Sequence, residues 1–274
     1  MAIYHLHAKI ISRAPGRSVV AAAAYRSGEK LYDDRSDQAH DYRRKSDVLH
    51  TEVRTPRSAP EWAKDRQTLW ATVEATEKRK DAQLAREIEV SLPREMPFDE
   101  QRQLVQEFVQ SECVDRGMIA DICLHNPASS DQKSNPHAHI LLTLRRITPE
   151  GFGKKERGWN DKHLLEHWRE AWARHTNRAL ARSGQATTID HRSYAAQGLQ
   201  RQPEPKLGAA RLLWQRGEPT PRYDQWLKAR PQNAIEAQTD NLRPLGTPTP
   251  TEITQSLSEA LRGDSRASRL DMAG

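Results

Sequence analysis

Alternation of apolar and polar side chains is clearest in "HAHILLTLRR", from residue 137 to 146. A period of two predicts a strand, with His137, His139, Leu141 and Thr143 on one face and the apolar set Ala138, Ile140, Leu142 and Leu144 on the other. "REIEVSLP" repeats the pattern, setting Glu87, Glu89 and Ser91 against Ile88, Val90 and Leu92. "GMIADICLH" places Asp121, Cys123 and His125 on one face, and "AIYHLHAKII" near the N-terminus reads as a further strand. Weaker strand signals lie near Asp41–Tyr42 and Thr51–Arg54.

A period of 3.6 marks the helices. Ser18 is a natural N-cap for a helix expected through about Lys30, ended by Gly28 or soon after. "APEWAKDRQTLWATVEATEKRK" reads as one helix, with Trp62, Leu69, Trp70 and Val73 along one side. Another is expected from about Asp99 to Arg116. The strongest, "NDKHLLEHWREAWARHTNRALARSG", carries the stripe Leu164, Leu165, Trp168, Ala171 and Trp172 before Gly184. The fold expected is an α/β sandwich: a mostly antiparallel sheet of about five strands, with helices on the face opposite the histidines. From about residue 209 the pattern fails and prolines and threonines cluster. Residues 1–208 are expected to form one domain and 209–274 an extended tail, with room for a short helix at Thr251–Leu261.

Composition narrows the partners. Of 274 residues, 43 are Lys or Arg and 37 Asp or Glu, a net charge of +6 that weakly favours a polyanion. Two cysteines are too few for a disulfide framework or a cysteine-based zinc site. There is no signal-peptide pattern at the N-terminus and no apolar run of about 20 residues, so cytoplasmic placement without membrane insertion is expected.

The candidate chemistry centres on His137 and His139, which project from the same strand face, with His125 ending a neighbouring strand. Three neutral imidazoles can hold a divalent metal and leave positions open. Alternate histidines also suit a plain polar strand face, and His5–His7 has the same spacing. Glu87 or Glu89 can orient a ligating histidine or accept a proton. Tyr25, one of six tyrosines, follows four alanines, and that small-residue surface lets either a packed sheet or a substrate come close. A phosphotyrosine ester is close in energy to a phosphodiester, so a tyrosine nucleophile can cut and rejoin DNA without ATP.

Taken in order, "MAIYHLHAKIISRAPGRSVVAAAAYRSGEKL", "HDYRRKSDVLHTEV", "EKRKDAQLAREIEVSLP", "NPHAHILLTLRR", "WNDKHLLEHWREAW", "DHRSYAAQGL" and "EPKLG" resemble the MobA/MobL (MobQ-class) relaxases of plasmid mobilisation, over about residues 1–208. These are HUH endonucleases, named for a hydrophobe between two histidines. The resemblance implies nicking of one DNA strand at the nic site of an origin of transfer, a 5′-phosphotyrosine link, and later rejoining. It assigns Tyr25 as the nucleophile, His125, His137 and His139 as metal ligands, and Glu87 as the acidic residue near the metal. Asn126 departs from relatives, which often have aspartate there.

The expected ion is Mg²⁺ or Mn²⁺, and three histidines also suit Zn²⁺, Co²⁺ or Ni²⁺. Expected partners are single-stranded plasmid DNA at the origin, relaxosome accessory proteins and a type IV secretion coupling protein. Arg13, Arg17, Arg26, Lys78, Arg79 and Lys80 are candidate DNA-backbone contacts. Two alternatives stand beside this reading: a rolling-circle replication initiator or transposase of the same superfamily, and a non-catalytic DNA-binding protein. The next tyrosine, Tyr32, lies seven residues on and past Gly28, which favours a single-tyrosine enzyme over the first.

Overall fold

A computed structural model describes residues 4–14, 16–127, 134–200 and 220–228. The elements in chain order are β1 (Leu6–Ser12), α1 (Val19–Ser27), β2 (Lys30–Asp33), β3 (Gln38–Asp41), β4 (Val48–Arg54), α2 (Arg66–Thr76), β5 (Gln83–Ser91), α3 (Phe98–Glu112), β6 (Ala120–His125), β7 (His137–Thr143), β8 (Arg145–Thr148), β9 (Gly151–Lys155) and α4 (Lys162–Arg182). One antiparallel sheet has the order β1-β5-β7-β6-β4. The β2–β3 and β8–β9 pairs are separate two-stranded sheets.

The alternation sorts the central sheet into two faces. Ile88, Val90, Ile122, Leu124, Ala138, Ile140 and Leu142 pack with α3 and α4, burying Phe108, Trp168 and Trp172. This face supplies the larger apolar core and holds the sheet against two long helices.

The opposite face needs a correction. Helices were expected only away from the histidines, yet α1 and α2 pack on the histidine side. Val19, Val20, Ala23 and Ala24 join Leu69, Trp70 and Val73 over Ile11, Ala85 and Leu141. Asp121 anchors α2 there, accepting from Arg66 at 2.8–3.0 Å and from Trp70 Nε1 at 2.8 Å. The alanines of α1 thus bring the helix backbone close to the sheet. Ala23 and Ala24 are buried, while Tyr25 stays 49% exposed.

Local signals explain the ends of α1. Ser18 caps it by accepting from Ala21 N, and Gly28 closes it at φ +68°, a conformation that glycine adopts without strain. The helix expected over 59–80 divides instead. Asp65 is extended (φ −84°, ψ 118°) and caps α2, leaving Glu61–Lys64 as a separate 3₁₀ turn. Likewise α3 stops at Glu112, and a 3₁₀ turn at Val114–Arg116 precedes Gly117. Both cysteines are free and buried.

Contacts divide the chain into Met1–His191 and Arg192–Gly274. In the second unit residues 221–228 are helical, where an extended tail was expected. The segment Thr251–Leu261 lies outside the described residues. No helix among the described residues is long and apolar enough to cross a membrane.

Candidate functional site

Register builds the histidine cluster. His137 pairs with His125 on β6 and with Ser91 on β5, and His139 pairs with Cys123 and Glu89. The three rings therefore lie on one face at one end of the sheet, with centroids 4.9–5.3 Å apart. Each offers a nitrogen within 4.8 Å of the others.

Hydrogen bonds fix the tautomers. His139 donates from Nδ1 to Glu87 Oε1 at 2.8 Å, and His137 from Nδ1 to the Asn135 carbonyl at 2.9 Å. Both arrangements leave Nε2 with its lone pair free. His125 donates from Nε2 to the Arg26 carbonyl at 2.6 Å, leaving Nδ1, which lies 3.4 Å from Asp47 Oδ2. Burial lowers the pKa of His125 to about 4, outweighing the opposing bond to Arg26. Burial also lowers that of His137. These imidazoles are neutral at pH 7, the form that binds metal.

Both glutamates bring an oxygen within 4.8 Å of a His139 nitrogen, and Glu87 is the one that hydrogen-bonds it. Glu87 is fully buried. Arg26 grips it with two bonds, Nε to Oε1 at 2.6 Å and Nη2 to Oε2 at 2.5 Å. Lys9 adds an ion pair at 3.1 Å. Burial alone would raise the Glu87 pKa, but the bonds from His139 and Arg26 hold it well below the carboxylate range. With both oxygens occupied, Glu87 suits orienting His139 and does not suit taking a proton from a nucleophile.

The end of α1 docks onto this cluster. The last helical carbonyls lack helical partners; here Ala24 O accepts from Gly28 N and Glu29 N, and Arg26 O from His125. Lys45 Nζ reaches Tyr25 O at 3.2 Å. Tyr25 is thus one residue from a direct bond to a cluster histidine.

The basic candidates part company. Arg13 is buried and saturated, bonding Glu74 and the carbonyls of Glu74, Glu77 and Arg79. It ties β1 to the end of α2 and is withdrawn as a DNA contact. Arg26 is likewise committed inward. Arg17, Lys78, Arg79 and Lys80 are exposed, and Arg79 also pairs with Asp81. The 78–80 run precedes Gln83, six residues from Glu89 along β5, so it sits about 20 Å or more from the histidines.

Sequence reasoning missed Lys9, Tyr42, Lys45, Asp47 and the inward role of Arg26. No local pattern marks them. Asp47 arrives through an irregularity in edge strand β4, where the register shifts between Val48 and His50. Asn126 donates to the Asp47 carbonyl at 2.8 Å, and its own Oδ1 is buried without a hydrogen-bond partner.

The neutral histidines carry a pH signature. With the His125 pKa at about 4 when folded and about 6.5 when unfolded, the unfolded chain binds more protons between those values, so stability falls as pH drops through that window. The loss is of order 3 kcal/mol from His125, and His137 adds to it. Metal-free protein should melt several degrees lower at pH 5 than at pH 7.5, and a flat profile would contradict the neutral cluster.

The MobA/MobL family profile matches residues 17–216. Mobilization protein MobL of Acidithiobacillus ferridurans is 38% identical over 240 residues, 77% of this chain and 63% of that protein. Conjugal transfer protein TraA of Agrobacterium fabrum is 36% identical over 239 residues, 76% of this chain and 21% of that protein. The chain thus spans less than two thirds of the length of these relatives. A solved structure concerned with the molecular basis of vancomycin resistance transfer in Staphylococcus aureus is 34% identical with TM-score 0.65, covering 70% of this chain and all of that one. The chain belongs to the MobA/MobL family.

Proposed function

We propose that this chain is a relaxase: it nicks one strand of plasmid DNA at an origin of transfer, holds the 5′ phosphate on Tyr25, and rejoins the strand. The carrying observation is the docking of the tyrosine helix on the histidine cluster, through the 2.6 Å bond from His125 to the carbonyl next to Tyr25. The names of its relatives, a mobilization protein and a conjugal transfer protein, support the biological setting.

The donor set fits a divalent metal. His137 and His139 are anchored at Nδ1 with Nε2 free, and His125 completes the set. Such an ion, when bound, would polarise the scissile phosphate and offset charge growing on its oxygens. Mg²⁺ or Mn²⁺ is the proposed ion. Glu87 holds His139 in its ligating tautomer. Tyr25 Oη gives up its proton to solvent and forms the ester with phosphorus as the 3′ oxygen leaves and takes up a proton, and return of that 3′ hydroxyl reverses the step.

Residues 1–208 are proposed to carry this activity. Accessory relaxosome proteins and a coupling protein are proposed as partners, with single-stranded DNA at the origin as substrate. Arg17 and Lys78–Lys80 remain the exposed candidates for its backbone.

The test uses the full chain with a labelled single-stranded oligonucleotide spanning the inverted repeat beside its coding sequence, plus Mn²⁺. The expected result is one cut and a protein–DNA adduct that survives detergent, both lost with chelator. Binding without cutting of either origin strand would instead fit a non-catalytic DNA-binding protein and sink the proposal.

A further inference from the structure

The ring of Tyr25 is half exposed, so burial alone does not set its direction. Three contacts do. Tyr42 meets it edge-on, with centroids 5.2 Å apart and planes at 88°. Lys45 Nζ lies 4.1 Å from its ring centroid. The same ammonium donates to the Tyr25 carbonyl at 3.2 Å. Tyr42 and Lys45 belong to one turn, closed by Lys45 N bonding Tyr42 O at 3.0 Å.

That turn is seated against the end of α1. A Cβ on Gly28 would lie 3.2 Å from Val48 Cγ2 and 3.8 Å from Lys45 Cβ, so glycine there leaves room for the turn as well as supplying the positive φ. On its far side Lys45 faces Asp47 Oδ1 at 3.8 Å, and Asp47 Oδ2 faces His125 Nδ1 at 3.4 Å. A continuous polar path therefore runs from Tyr25 through Lys45 and Asp47 to the histidine cluster.

We propose that Lys45, with Tyr42, is a positioning residue that holds the Tyr25 side chain in one orientation toward the histidine site. The inference rests on Tyr25 being the nucleophile. The physical basis is entropic and electrostatic. A cation over an aromatic face restrains the ring, the edge contact restrains it from the side, and a nucleophile held near its attack geometry has less freedom to lose. Lys45 is mostly covered, at 18% side-chain exposure, so its charge acts beside the ring with little competition from bulk solvent.

The experiment measures single-turnover adduct formation and DNA affinity on the same origin oligonucleotide. Lys45→Met keeps an unbranched side chain one atom shorter and removes the charge. It should slow adduct formation by about 10²-fold while affinity stays within about threefold, and Lys45→Arg should recover most of the rate. Tyr42→Leu should also slow the reaction, which keeps the test valid if Lys45→Met folds poorly.

A wild-type rate in both Lys45→Met and Tyr42→Leu overturns the inference and leaves Tyr25 as nucleophile. Weaker binding with a salt slope reduced by about one and an unchanged rate at saturation also overturns it, since that is the signature of a plain phosphate contact. An adduct that survives Tyr25→Phe overturns the nucleophile itself, and this inference falls with it.

Discussion

Tyr25→Phe should abolish the proposed covalent adduct while leaving the protein folded and able to bind origin DNA. The change removes one oxygen from a half-exposed residue and keeps the ring. The edge contact with Tyr42 and the Lys45 ammonium 4.1 Å from the ring centroid both persist, and a substitution this exposed costs within about 0.5 kcal/mol of stability. The loss is therefore chemical. Without Oη no ester to phosphorus can form, so the cutting rate should fall by about 10³-fold or more. Gel detection of adduct and anisotropy with labelled DNA check the two halves separately. An adduct in Tyr25→Phe would send the search to another tyrosine. Tyr32 is a poor substitute: it sits on the separate β2–β3 sheet, and its hydroxyl bonds Asp37, which raises its pKa. Tyr32→Phe should leave the adduct intact.

What the sequence shows of this site follows from the range of the interactions that build it. His137 and His139 are legible because a period of two is local, and their shared face needs no tertiary information. Ser18 and Gly28 are legible for the same reason, since a cap is decided within a few residues. The partners of those groups are not. Arg26 and Glu87 are 61 residues apart, Lys45 and Tyr25 are 20 apart, and nothing nearby in the chain foretells either meeting. Arg13 illustrates the reverse error. An arginine in a turn-rich, basic stretch reads as surface, yet it is buried against the end of α2, and only packing reveals the carbonyls that receive it. β2 and the β8–β9 pair escaped the sequence reading, and β3 showed only a weak signal at its end near Asp41, because "KLYD", "QAHD" and "GFGKK" are short and lack a sustained apolar alternation. Side-chain bonds separate Glu87 from Glu89, which neither alternation nor register could, since register sets Glu89 opposite His139. Both share a face, but only Glu87 pairs with Lys9 and lies within reach of Arg26 from α1.

Glu87→Gln should lower both stability and metal affinity, by different routes that a second variant separates. Glutamine keeps an oxygen that can accept from His139, but it loses the charge that the Arg26 guanidinium faces. Arg26 has only 11% side-chain exposure, whereas Lys9 at 43% can turn to water. Stranding a mostly buried arginine costs about 3–5 kcal/mol. A weaker acceptor behind His139 should lower Mn²⁺ affinity by about 10–100-fold, read by calorimetric titration at pH 7.5. The pH dependence has a definite sign. The Glu87 pKa is lowered in the fold, so its contribution is complete above the unfolded carboxylate value of about 4.3 and fades as pH falls below it. The stability gap between wild type and Glu87→Gln should therefore shrink in acid. The double variant Arg26→Leu with Glu87→Leu removes both charges together; replacing a buried pair with apolar groups is often neutral or stabilising. It should regain most of the lost stability. Metal affinity should stay low, because His139 Nδ1 no longer has an acceptor and either ring nitrogen can then carry the proton. If Glu87→Gln and the double variant both bind Mn²⁺ like wild type, Glu87 does not orient His139, and the carboxylate is there only for Arg26 and the placement of the tyrosine helix.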